Sequence, residues 1–404
     1  MNDTCQPPEP VAIAVSGIAG SGKSTLGRAL AASLRLPLVD LDAVTNPLLD
    51  ALDEAVLGGH WLSGPHARTI REGRYAALRA VAADAVATAG GVVLVAPFTT
   101  ELDGGEEWAH LRAAVAPATL RMVHLEGDPQ LLAARRAARG APRDRHRTDT
   151  PARTPSIPVV RIDAELSTSQ QSARVLAGLG IRTPLDPDAA LFSRSFDAVL
   201  FDLDGTLVDS TASVIRAWRR FAAHYGVSSD PLHENHGQPA RTLIARLLPA
   251  ELRSEGLDRI LELELADAVA LPEVRGARAF YDSIPAERRA VVTSGTAPLA
   301  TARLRAARFT APGVFVTSDD VTRGKPDPEP FLLAADRLGV DPERCLVLED
   351  ATAGIQAARA AGCAVIAVTG TVEPSALPAD LAIDGLDRLT VSLDAEGIRL
   401  HPVG

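Results

Sequence analysis

The sequence predicts an α/β chain of two doubly wound parallel-sheet domains, the second carrying a helical insert. Three observations carry this prediction. Short apolar runs alternate with longer helical patterns, the signature of parallel strands joined by crossover helices. The first apolar run leads directly into a glycine-rich loop and a helix. The alternation then restarts at Ala198, after a stretch bearing prolines, with different motifs. A chain of 404 residues is long enough to bury two full cores.

The elements follow in order. Val11–Val15 is the first strand, and an alanine-rich helix runs from about Ser24 to Leu34. Leu36–Asp40 is a second strand that ends on a carboxylate. Helical pattern fills Ile70–Ala89, and strands return at Gly91–Ala96, Leu120–Leu125 and Val159–Ile162. These predict a first domain over residues 1–181. Pro184, Pro187 and several polar neighbours mark residues 182–195 as a linker. The second domain covers residues 196–404, opening on the strand Ala198–Phe201. Residues of about 209–285 are almost wholly helical in pattern and form an insert between strands. Strands resume at Ala290–Thr293, Gly313–Val316, Cys345–Leu348 and Ala364–Val368.

Composition narrows the setting. Lys and Arg total 41 against 51 Asp and Glu, a formal charge of −10. That balance does not favour nucleic acid, whose phosphates need a basic face. Three cysteines without metal-ligand spacing argue against a disulfide framework and for a reducing, cytoplasmic setting. The acidic, proline-rich start does not read as a signal peptide, and no apolar run approaches a membrane span. Of the 41 basic residues only Lys23 and Lys325 are lysines. An ammonium is a compact charge that a planar guanidinium cannot replace in a tight site. Both lysines sit in segments that read as phosphate sites.

The first is Gly17-Ile-Ala-Gly20-Ser21-Gly22-Lys23-Ser24-Thr25, which fits G-x-x-x-x-G-K-[ST] between strand and helix. Its glycines let backbone N–H groups turn toward phosphate, and the helix start adds its positive dipole end. Lys23 would reach the β- and γ-phosphates of ATP, and Ser24 would ligate Mg²⁺. Asp40 and Asp42 follow the second strand, at the edge where open α/β sheets bind ligands. Asp40 is the first candidate for a base that takes a proton from an attacking hydroxyl, Asp42 the second. Alternatively they are capping or solvated carboxylates. The arginine-rich run from Arg135 to Arg147, with Arg139 and Arg143, is either a lid that closes over ATP or a solvated basic helix. His60 and Trp61, within Leu57–Pro65, line an acceptor pocket or belong to the core. In these motifs the first domain resembles the P-loop kinases of small metabolites, of the gluconate and shikimate kinase type. The resemblance implies phosphoryl transfer from ATP to a small hydroxylated compound. No acidic residue stands where the run Val92–Ala96 ends in Pro97-Phe98-Thr99.

The second segment is Phe201-Asp202-Leu203-Asp204-Gly205-Thr206. Residues i and i+2 of an extended turn face one way, so Asp202 and Asp204 converge. Paired carboxylates suit Mg²⁺, with one as nucleophile and one as acid/base. Three further segments follow. Thr293-Ser294-Gly295 offers hydroxyls to phosphate, Gly324-Lys325-Pro326 a lysine in a stiff loop, and Glu349-Asp350 carboxylates for Mg²⁺. Together they resemble the haloacid dehalogenase-like hydrolases. That resemblance implies that Asp202 forms an aspartyl-phosphate and that Asp204 is the general acid/base. It implies that Asp350, Asp202 and the Asp204 backbone carbonyl hold Mg²⁺, with Glu349 assisting. It also implies that Ser294 and Lys325 bind phosphate. Retention of Asp204 favours a phosphatase, because a leaving alcohol needs a proton. The resemblance implies that the helical insert of about 209–285 is the cap of this family, and within it Glu234–Arg241 is similar to the segment near substrate in sugar- and polyol-phosphate phosphatases, making His236 and Arg241 substrate candidates.

The expectation is therefore a bifunctional enzyme acting on small phosphorylated metabolites, with ATP and Mg²⁺ as cofactors. Acting on one position of one substrate, the halves would waste ATP, so different substrates or positions are expected. The alternatives are a polynucleotide kinase-phosphatase and a phosphatase with a regulatory ATP-binding domain.

Overall fold

A computed structural model describes residues 9–52, 54–140, 154–182, 185–227, 240–369 and 379–403. The chain forms two compact units, Met1–Arg182 and Thr183–Gly404.

The first unit has five strands: β1 (Val11–Gly17), β2 (Leu38–Asp40), β3 (Val92–Val95), β4 (Thr119–Glu126) and β5 (Val159–Asp163). Its helices are α1 (Lys23–Leu34), α2 (Leu41–Asp50), α3 (Glu54–Leu57), α4 (Ala67–Ala89), α5 (Gly105–Ala114), α6 (Pro129–Arg139) and α7 (Thr168–Gly178). All strands pair in parallel, in the order β2-β3-β1-β4-β5. Every residue of β1 is buried, as a central parallel strand requires. Its alternate residues serve opposite cores. Ala12 and Ala14 pack beneath α4 with Leu78 and Phe98, while Ile13 and Val15 pack beneath α1 with Leu26 and Leu30. Successive strands are added on one side of β1 and then on the other, so the crevice opens at its C-terminal end, where the glycine loop lies.

In the second unit β6 (Ser195–Phe196) precedes β7 (Ala198–Phe201), β8 (Arg289–Val292), β9 (Val314–Val316), β10 (Cys345–Glu349), β11 (Ala364–Val368) and β12 (Leu381–Ile383). The last six form a parallel sheet ordered β12-β11-β10-β7-β8-β9. Here the change of side falls beside β7, so Asp202 stands at the switch point. The hairpin of β13 (Leu389–Asp394) and β14 (Gly397–Pro402) pairs antiparallel with β6 in a separate small sheet.

Helices α8 (Thr211–Tyr225), α9 (Ala240–Leu247) and α10 (Arg253–Asp267) share their own apolar cluster. Trp218, Phe221, Ile244 and Ile260 lead it, with α8 contributing at helical spacing. The insert returns to the sheet where Asp209 N–H donates to the Pro272 carbonyl. The helical insert therefore ends earlier than the sequence pattern suggests. α11 (Ala277–Ser283) packs Phe280 and Tyr281 into the main core against Phe201. The stretch read as a linker also joins the core: Leu191 is buried there, and β6 is part of a sheet. Helices α12 (Ala297–Ala306), α13 (Glu329–Leu338) and α14 (Thr352–Ala360) complete the crossovers.

Candidate functional sites

In the first unit Gly17, Gly20 and Gly22 all have positive φ, of 152°, 90° and 86°. A Cβ on Gly20 would lie 2.3 Å from the Leu132 carbonyl oxygen, so only glycine lets the loop pass there. Gly22 caps α1, and Thr25 and Leu26 N–H donate to its carbonyl at 2.9 and 3.0 Å. The Ser21 hydroxyl is fully buried and has no hydrogen-bond partner. An orphaned hydroxyl in a loop of this curvature fits a bound phosphate. Lys23 and Thr25 begin the helix beside it, Lys23 half-buried and Thr25 exposed.

Ser24 Oγ donates to Asp40 Oδ2 at 2.8 Å, and Asp42 N–H donates to Asp40 Oδ1 at 3.0 Å. Asp40 thus caps α2 and holds the loop's hydroxyl at once. Asp42 instead pairs with Arg74, 2.7 Å away, which also donates to Thr45 and Asn46. The Trp61 ring lies 4.7 Å from the Arg74 guanidinium, and its indole donates to Asp50. Trp61 is buried and buttresses this arginine, with His60 stacked beside it. Arg71, one turn earlier on α4, donates to Thr99 and Thr100 after β3. Sequence reasoning missed Arg71 and Arg74, which carry no motif. The missing acid after β3 has a near neighbour in buried Glu101, whose carboxyl burial holds above the usual range. In the arginine-rich run, Arg135 donates to the Ala164 carbonyl at 2.7 Å. Arg139 ends α6, and Arg143 lies outside the described residues.

In the second unit Lys325 Nζ sits between three acceptors: Asp202 Oδ1 at 2.6 Å, Glu349 Oε1 at 2.8 Å and the Val292 carbonyl at 3.0 Å. All three side chains are buried. Burial pushes the Asp202 carboxyl up to about 7, against the opposing pull of Lys325. Burial also works against the Lys325 ammonium, but Asp202 and Glu349 outweigh it and hold the lysine charged. Glu349 further accepts from Ala351 N–H at 2.6 Å.

Asp202, Glu349 and Asp350 bring carboxylate oxygens within 4.8 Å of one another. Three clustered carboxylates, two of them shared with a single lysine, offer hard oxygen donors in excess of the local positive charge, which fits Mg²⁺. Gly205, at φ +91°, fits the same purpose: a Cβ there would lie 2.0 Å from Asp350 Oδ2. The Asp204 side chain stands apart from this trio. Its Oδ1 accepts from Ser210 Oγ at 2.6 Å and its Oδ2 from Arg303 at 2.7 Å. Thr293, at the end of β8, is buried and accepts from Gly295 N–H. Ser294 is half-buried beside it. Arg241 is exposed near the start of α9, and His236 lies outside the described residues.

This nucleophile–lysine–carboxylate arrangement has clear relatives. The model of the haloacid dehalogenase-like hydrolases matches residues 196–362. Hexitol phosphatase A of Escherichia coli is 38% identical over 206 residues, covering 49% of this chain and 95% of the relative. The chain belongs to the haloacid dehalogenase-like hydrolases. Fructose-1-phosphate phosphatase YqaB of Escherichia coli is 35% identical to this hydrolase over 179 residues, 41% of this chain and 93% of its own. Glycerol-1-phosphate phosphohydrolase 1 of Saccharomyces cerevisiae is 32% identical over 195 residues, 45% and 78% respectively. Ahead of its hydrolase domain the chain carries a second, P-loop kinase-like domain, matched by an AAA domain model over residues 13–154. Among the described residues no helix is long and apolar enough to cross a membrane.

Proposed function

We propose that the second unit hydrolyses phosphate monoesters of sugars or polyols through an aspartyl-phosphate. The observation that carries this is the Asp202 carboxylate held by Lys325 at the C-terminal end of the central strand. Named activities of the relatives, on hexitol, fructose 1-phosphate and glycerol 1-phosphate chemistry, support the same class. Asp202 Oδ attacks phosphorus, and the P–O bond to the alcohol breaks. Asp204 gives the leaving oxygen its proton. Asp204 then takes a proton from water as that water attacks phosphorus, and the bond to Asp202 breaks. Lys325 offsets charge on Asp202 and the phosphoryl group, while Thr293, Ser294 and Gly295 orient phosphate oxygens. Asp202, Asp350 and the Asp204 backbone carbonyl would hold Mg²⁺, with Glu349 assisting. When bound, Mg²⁺ screens phosphoryl charge.

For the first unit we infer a phosphoryl transfer from ATP to a small hydroxylated compound. Gly17, Gly20, Ser21, Gly22, Lys23 and Thr25 cradle the phosphates, and Ser24 with Asp40 faces the accompanying Mg²⁺. Asp40, held by Ser24, and Asp42, paired with Arg74, are the two carboxylates placed to accept the acceptor's proton, Asp40 first. The two units use different substrates or different positions.

The test is phosphate release by the full chain with Mg²⁺ across sugar and polyol phosphates, wild type beside Asp202→Asn. Release from a few esters that vanishes in the folded variant is expected. Release that survives the substitution would overturn the nucleophile assignment. ATP with the dephosphorylated panel tests the kinase half. ATP bound tightly without transfer to any of them would favour a regulatory domain.

A further inference from the structure

Arg303 has no place in any motif, yet it joins the cap to the chemistry. It lies on α12 and is only 5% exposed. One guanidinium nitrogen donates to Asp204 Oδ2 at 2.7 Å, the other to Glu264 Oε1 at 3.2 Å. Glu264 belongs to α10 of the cap and is itself buried. Its helix neighbours Ile260 and Leu263 anchor in the cap's apolar cluster, so Glu264 moves only with the cap. On the other side, Ser210 Oγ holds the second Asp204 oxygen, and Ser210 stands where the chain enters the cap at α8. One oxygen of Asp204 is therefore held by a core arginine that also grips the cap, and the other by the residue at which the chain enters the cap.

We propose that Arg303 is a positioning residue that sets the Asp204 carboxyl for proton transfer when Glu264 is seated against α12. This rests on the phosphatase reading above. The physical basis is the fork of the guanidinium, which binds two carboxylates at fixed angles. With Glu264 withdrawn, Arg303 keeps one carboxylate partner where it had two, and its hold on Asp204 loosens. Without Arg303, Asp204 is steadied by Ser210 alone, and its side chain, 27% exposed, is free to turn.

The test separates proton donation from general damage. The most active polyol phosphate of the panel needs its leaving oxygen protonated, while acetyl phosphate releases acetate without that help. kcat/KM reports only the steps up to departure of the leaving group, so the later hydrolysis of aspartyl-phosphate does not enter. Arg303→Met is expected to lower kcat/KM on the polyol phosphate by about 10²-fold, the ordinary worth of a general acid. On acetyl phosphate it should change kcat/KM only a few-fold. Arg303→Lys should fall between, and Glu264→Gln should shift the ratio of the two substrates in the same direction by less. Should Arg303→Met not fold, Glu264→Gln, nearly isosteric, carries the test alone. Equal losses on both substrates in a folded variant would overturn the proposal, as would an unchanged ratio. A wild-type protein inactive on both, and indifferent to Asp202→Asn, would instead overturn the phosphatase reading itself.

Discussion

Replacing Lys325 by Met tests how the hydrolase site is held together. The ammonium touches Asp202, Glu349 and the Val292 carbonyl, all within 3.0 Å. Methionine matches the length of the stem but leaves two buried carboxylates facing each other. Breaking a buried pair on one side costs about 3–5 kcal/mol. For a unit of this size, about 2–4 °C of melting temperature follows each kcal/mol, so Lys325→Met should melt about 6–20 °C lower near neutral pH. The sign of the pH dependence follows. Burial already raises Asp202, and without the ammonium it holds in the folded variant a proton that the unfolded chain has released. Stability of the variant therefore rises as pH falls through its raised range, and the deficit narrows toward about pH 5. Mg²⁺ should also narrow it, by binding the folded site in place of the lost cation. Calorimetry of the full chain across pH, with and without Mg²⁺, reads all three effects. A variant that melts with the wild type, or a deficit independent of pH and Mg²⁺, would refute the reasoning.

Other expectations are independent of that one. Gly354→Ala would put a Cβ 1.5 Å from Glu349 Oε1, displacing the carboxylate that holds Lys325. Chemical denaturation should show at least the about 1–3 kcal/mol of ordinary overpacking, with phosphate release lost. Glu101→Gln tests the first unit: burial raises the Glu101 carboxyl, so the wild type loses stability as pH rises from the ordinary glutamate range through the folded value. The variant should melt higher than wild type near pH 8 and no higher near pH 4, and a gain independent of pH would contradict this. Lys23→Met should weaken ATP binding by about 10–100-fold in titration calorimetry, the worth of one charge-assisted hydrogen bond, without moving the hydrolase's melting transition.

Much of this was legible because its signals are local. The glycine loop, the Asp202–Asp204 turn and the Lys325 loop each pack their chemistry into a few residues beside an apolar strand. β7 needed only four apolar residues to be seen. The C-terminal hairpin was missed although Leu389, Val391 and Leu393 alternate with polar residues, because half its surface is exposed and its runs are short. The cap boundary failed for a different reason. α11 has the helical pattern of the cap, and only the packing of Phe280 and Tyr281 against Phe201 assigns it to the core. Arg74 and Arg303 were invisible in principle. Each is one arginine among 39, and each meets its carboxylate from 32 and 99 positions away.

That contrast explains the lysines. Arginine dominates this chain wherever a fork can serve: Arg303 spans two carboxylates on different elements, and Arg74 reaches Asp42, Thr45 and Asn46. At Lys325 the demand differs. Three acceptors surround one nitrogen from separate directions at 2.6–3.0 Å, matching the three donors of an ammonium and not the plane of a guanidinium. The site is also closed by Phe331, whose ring centre lies 5.0 Å from the same nitrogen, leaving no room for a wider head group. A composition that replaces lysine elsewhere thus keeps it where acceptor geometry forbids the exchange. The second survivor, Lys23, directly follows a loop whose glycines take positive φ, the curvature by which backbone N–H groups can cradle a small anion. The rarity of a residue type here marks the places where shape, rather than charge, decides.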